Sequence, residues 1–78
     1  MEIICVSDTI EAAVGLRLSG INTVFVTKKE QALEVIYNSL REKNIGIIIL
    51  TENIYKQLKN EVDNIRENYN LPLIVTIP

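Results

Sequence analysis

Four short apolar runs, Ile3–Val6, Thr23–Val26, Ile45–Leu50 and Leu73–Ile77, are rich in β-branched residues, and a helical pattern separates each from the next. Branching at Cβ stiffens χ1 and suits pleated backbone, so each run reads as a strand. The first and third are continuous rather than alternating, as expected of strands buried on both faces. The second and fourth carry Thr23 and Thr76, as edge strands do. Connections of 16 to 22 residues, each holding a helix, suit right-handed crossovers within a parallel sheet. The expected fold is therefore one α/β domain over residues 1–78, β-α-β-α-β-α-β, with four parallel strands in the order 2-1-3-4 and helices on both faces.

Each helix carries start or stop signals. Asp8-Thr9-Ile10-Glu11 reads as a capping box, followed by Ile10, Ala13, Val14 and Leu18 as the buried stripe, with Gly20 placed where a helix C-terminus favours positive φ. Thr27-Lys28-Lys29-Glu30 repeats the capping pattern and leads into Ala32, Leu33, Ile36, Tyr37 and Leu40, on a helix expected to end near Lys43-Asn44. The third helix is expected to be one continuous stripe of Ile54, Leu58, Val62, Ile65 and Tyr69, stopped by Asn70 and Pro72. The sequence closes on Thr76-Ile77-Pro78. Because a parallel strand needs cover on both faces, a further C-terminal helix after Pro78 is expected.

Composition narrows the function classes. Of the 78 residues, 47% are hydrophobic and 23% charged, which excludes disorder and low complexity. Aromatics are 5% with no Trp, so the core is aliphatic. A net charge of −2 argues against a nucleic-acid partner, which wants a basic face. There is no His, which removes the commonest general base and transition-metal ligand. The lone Cys5 lies in an apolar strand and reads as a buried small hydrophobe in a reducing compartment. No window is long and apolar enough to span a membrane, and Met1-Glu2 lacks the basic start of a signal peptide. A cytoplasmic setting is expected.

In open α/β sheets ligands sit beyond the carboxyl ends of the strands. Here those ends carry Ser7-Asp8-Thr9 and Thr51-Glu52-Asn53, two carboxylates among hydroxyls. The plainer reading makes Asp8, Thr27 and Thr51 helix N-caps. No Gly-rich phosphate loop follows any strand, and the chain lacks the length and aromatics to hold a flavin. A response-regulator receiver would need an acidic cluster after the first strand, Asp where Thr51 stands and Lys after a fifth strand; only Asp8 is present. Weak Mg²⁺ or phosphate binding near Asp8 and Glu52, in a degenerate receiver-like signalling module, remains the alternative. Arg17 is the only basic residue among the first 27, and complements the C-terminal dipole of the first helix or reaches a partner.

The segment Gly15-Leu16-Arg17-Leu18-Ser19-Gly20 resembles G-F-R-L-A-G of the F subunit of the archaeal/vacuolar-type (A-type/V-type) rotary ATPases. Ile45-Gly46-Ile47-Ile48-Ile49-Leu50-Thr51-Glu52 resembles that family's G-I-I-L-I-T-E, and Leu71-Pro72-Leu73-Ile74-Val75-Thr76-Ile77-Pro78 its L-P-x-I-V-x-I-P. The resemblance runs from end to end. Two departures stand out: Leu16 replaces a usual Phe, and Ser7-Asp8-Thr9-Ile10-Glu11 follows the family's G-D-x-D-x-V only loosely. Family members also continue past the I-P with a loop and a C-terminal helix. The resemblance implies the flavodoxin/receiver-like N-terminal domain of a non-catalytic central-stalk subunit that needs no cofactor or metal. Its implied partners are the coiled-coil D subunit of the ATPase and, through the complex, the A and B subunits, coupling ATP hydrolysis or synthesis to proton or sodium transport. The expected partner contacts are Arg17, Ser19 and Gly20, and more loosely Glu52.

Overall fold

In a computed structural model describing all residues from Met1 to Pro78, the chain runs β1 (Glu2–Ser7), α1 (Ile10–Leu18), β2 (Asn22–Phe25), α2 (Lys29–Leu40), β3 (Ile45–Thr51), α3 (Glu52–Gln57), α4 (Lys59–Asn68) and β4 (Leu73–Ile77). The four strands form one parallel sheet in the order β2-β1-β3-β4. The two continuous apolar runs are the central strands, and the two Thr-bearing runs are the edges, as the sequence patterning predicts.

One large core lies on one face of the sheet. Val6, Val26, Ile48, Leu50 and Ile74 from the strands pack there with Ala32 and Ile36 of α2, Ile54 of α3, Leu58, and Val62 and Ile65 of α4. The other face is covered by α1 alone, which packs on β1 and β2. Cys5 and Ala13 are the fully buried hydrophobic residues there, and Cys5 has no disulfide partner.

Several local expectations are corrected by tertiary context. The stripe expected to bury α1 does not do so: Ala13 is buried, but Ile10, Val14 and Leu18 are exposed, Leu18 at 84%. α1 lies on two strands only, so its inward arc is narrow and centres on Ala13. Asp8 is not the α1 cap. Thr9 takes that position, its hydroxyl accepting from the Ala12 amide at 3.4 Å, while Asp8 is held by Thr51 across the sheet. The α2 cap is Lys28 rather than Thr27. Instead of a hydroxyl cap, Gln31 Oε1 folds back and accepts from the Thr27 and Lys28 amides at 2.8 and 3.1 Å. On α2, Tyr37 is exposed and Ser39 buried, and the helix stops at Leu40, short of Lys43-Asn44. The third helix is two: the backbone leaves helical geometry at Leu58 (φ −115°, ψ 20°), and Tyr69, expected in its stripe, is 48% exposed. The Leu71–Pro72 peptide is cis.

The end of α1 follows its signal closely. The Gly20 amide donates to the Arg17 carbonyl and the Ile21 amide to the Leu16 carbonyl, both at 3.0 Å. These are the paired bonds of a Schellman motif, with Gly20 at φ +87°. A Cβ would be strained there, which accounts for the glycine.

Candidate functional site

Two regions compete, one at each end of the strands. Beyond the carboxyl ends of β1 and β3, Thr51 Oγ1 donates to Asp8 Oδ1 at 2.8 Å, and Ser7 Oγ donates to the Thr9 carbonyl at 2.8 Å. Thr51 does occupy the position before α3, yet its hydroxyl serves Asp8 rather than a helix amide. Glu52 lies 3.8 Å from Lys56 on the helix surface. The hollow between them is about 190 Å³ and also touches Asn53 and Pro78. Each carboxylate thus already has its own partner. No group of three or more acidic or Cys side chains is gathered into a metal-ligating cluster. A phosphate would meet Asp8 at the mouth, where like charge repels it. The chemistry available is that of a hydrogen-bonded brace tying the β1 end to the β3 end.

The second region is the face that α1 leaves open. Strand register sets its side chains in lateral rows: Ile3 pairs with Ile47 and Ile47 with Leu73, while Cys5 pairs with Ile49 and Ile49 with Val75. Exposure rises outward along the Cys5 row and is greatest on β4 in both rows. Cys5 is fully buried, Ile49 half-buried and Val75 42% exposed; Ile3 is 37% exposed, Ile47 half-buried and Leu73 54% exposed. Three strands at about 4.8 Å spacing give a strip roughly 10 Å wide, the diameter of a single α-helix. No charged residue lies in these rows.

The four residues expected as contacts do not sit together. Since α1 runs against the strands, its last turn lies at their amino ends. Arg17, Ser19 and Gly20 are therefore on the same side of the molecule as Ile3, whereas Glu52 is at the opposite end of the sheet. Gly20 and Ile3 line one hollow of about 490 Å³ with Met1 and Ile21, which joins the α1 end to the open strip. Arg17 is braced: its Nε donates to the Thr23 carbonyl at 3.0 Å. Ser19 Oγ donates back to the Gly15 carbonyl at 3.1 Å.

Sequence reasoning expected a further helix after Pro78 but did not single out Leu73 and Val75. Their alternation with Ile74 in Leu73-Ile74-Val75 was the available signal. It also missed a surface cluster on α3 and α4. There Asp63 accepts from Lys59 Nζ at 2.7 Å and Tyr55 Oη at 2.9 Å, with Arg66 3.7 Å away. Those hydrogen bonds hold the Asp63 carboxyl below its ordinary value and raise the Lys59 ammonium.

Residues 3–78 match the family described as ATP synthase (F/14-kDa) subunit. The chain belongs to that family. It is 36% identical over 69 residues to the A-type ATP synthase F subunit of Methanocaldococcus jannaschii, a match covering 87% of this chain and 65% of the relative. It is 32% identical over 69 residues to the F subunit of the A-type ATP synthase of Methanococcus maripaludis, with the same 87% and 65% coverage. The corresponding F subunit of Methanothrix thermoacetophila is 27% identical over 78 residues, covering 99% of this chain and 78% of the relative. The chain thus spans just under two thirds of the length of two of the relatives it matches. No solved structure matches it. For a member of this family, the open aliphatic strip is a more telling feature than the braced polar rim. No helix is long and apolar enough to cross a membrane.

Proposed function

We propose that this chain is the folded domain of a non-catalytic central-stalk subunit of an A/V-type ATPase. It docks on the coiled-coil D subunit, turns with it on the cytoplasmic side of the membrane, and couples ATP hydrolysis or synthesis in the A and B subunits to proton or sodium movement. The observation that carries the reading, alongside family membership, is the open strip: uncharged, one helix wide and continuous with the end of α1. Such a surface suits the apolar flank of a coiled coil. Arg17, Ser19 and Gly20 form its rim in this reading; Glu52, at the far end of the sheet, makes at most a separate contact. The reading includes a continuation beyond Pro78 by a loop and helix, and the relatives are longer than the part this chain matches. A packed parallel sheet transmits torque because a close-packed interior deforms little.

Titration calorimetry with the purified coiled-coil D subunit tests this. The chain, with its native continuation, is expected to give saturable heat at one-to-one stoichiometry. A folded chain that gives none overturns the reading.

A further inference from the structure

The two edges of the sheet are each occupied by an arginine from a neighbouring helix. The Val26 amide donates to the Ser7 carbonyl at 2.9 Å. In a parallel ladder successive residues point their backbone groups to alternate sides, so Val24 and Val26 face β1 while Thr23 and Phe25 face outward. The same alternation carried through the Ile4–Ile48 and Ile48–Ile74 pairs leaves Ile74 and Thr76 facing outward on β4. Arg17 Nε, from α1, donates to the outward Thr23 carbonyl at 3.0 Å. Arg66 Nη2, from α4, donates to the outward Ile74 carbonyl at 2.7 Å. Arg66 is itself fixed, 3.7 Å from Asp63 and 5.2 Å above the Tyr55 ring.

These edges need protection. Neither Asn22–Phe25 nor Leu73–Ile77 contains a charged residue or a proline, the usual devices that stop one sheet from adding to another. We infer that Arg17 and Arg66 are edge guards, each filling one of the outward carbonyls that an added strand would need, and that the surface they block is complementary to a second copy of this chain. Without them, β2 of one copy extends β4 of the next as a further parallel strand. That contact is head-to-tail and does not close on itself, so it propagates.

The test is the self-association of the 78-residue chain carrying Arg17→Met and Arg66→Met. Methionine keeps an apolar stem but removes the donor. The native chain is expected to sediment near 8.8 kDa at all concentrations, and the double variant to at least double its weight-average mass as concentration rises. Loss of two positive charges makes the net charge more negative than −2, which by itself opposes association, so growth would not be a charge effect. Adding Thr76→Pro, which removes an outward N–H but no ladder bond, is expected to restore the monomer. A folded double variant that stays monomeric overturns the proposal, as does growth that Thr76→Pro leaves unchanged. If the double variant loses its helical circular dichroism, an equimolar mixture of the two single variants decides. Arg17→Met supplies a freed β2 and Arg66→Met a freed β4, so the mixture is expected to form a dimer that neither variant forms alone, and a folded mixture that stays monomeric overturns the proposal. Unfolding in both singles also overturns it, since the arginines would then be holding the fold rather than guarding its edges. The readout is the free chain alone, so it stands apart from binding to the D subunit.

Discussion

Cys5 lies mid-way along β1, fully buried between the sheet and α1. Burial disfavours the thiolate and pushes its pKa up from the ordinary value. A thiol reagent at neutral pH should therefore leave the native chain unmodified and label it only as fast as it unfolds; rapid labelling of folded protein would contradict the packing. Asp63 gives the opposite sign of pH dependence. Its folded carboxyl titrates below the ordinary 3.8 because Lys59 and Tyr55 donate to it, so its contribution is present above that pH and is lost as pH falls through the lowered native value. Asp63→Asn should lower the melting temperature slightly at neutral pH, with the gap to the native chain closing in acid. The effect is small because the pair lies on the surface. In the core, Ile36→Ala removes a fully buried side chain and should cost about 2–5 kcal/mol in urea unfolding.

At the scale of elements, how much the sequence revealed depended on whether a signal was local. Strand identity, order and the Gly20 terminus were legible because β-branched runs, crossover length and a positive-φ glycine act within their own segment. Gly20→Ala should destabilise by roughly 1 kcal/mol, read from chemical denaturation, because alanine resists φ +87°. The break at Leu58 was hidden: Ile54, Leu58, Val62 and Ile65 all remain on the core side through it, so the apolar spacing survives a change in backbone. Asp8 was misread as a cap because its real partner, Thr51, is 43 residues away in sequence. The exposure of Ile10, Val14 and Leu18 was equally illegible. It depends on how few strands α1 covers, which no helical period records.

At the scale of the whole molecule, the sheet is well covered on one side and half-covered on the other. That asymmetry made the candidate site only partly legible: lack of cover could be read from the strand count, but the particular rows depend on register between strands far apart in sequence. In the proposed assembly Ile3, Ile47, Leu73 and Val75 form the face that meets the coiled coil. Leu73→Asp and Val75→Asp each withhold a half-exposed aliphatic side chain and place a charge in the strip. Each should weaken binding of the D subunit by about 1 kcal/mol or more, while leaving the melting temperature of the free chain nearly unchanged. The most direct measurement is amide and methyl NMR of the labelled chain, with its native continuation, titrated with the coiled-coil D subunit. Ile3, Ile47, Ile49, Leu73, Val75 and the Arg17–Gly20 turn are expected to shift together, while Ser7 to Thr9 and Thr51 to Asn53 stay still with millimolar Mg²⁺ and a phosphoryl donor. A strip that stays silent on adding the coiled coil, with shifts instead at Asp8 and Glu52 on adding Mg²⁺, would contradict that docking face.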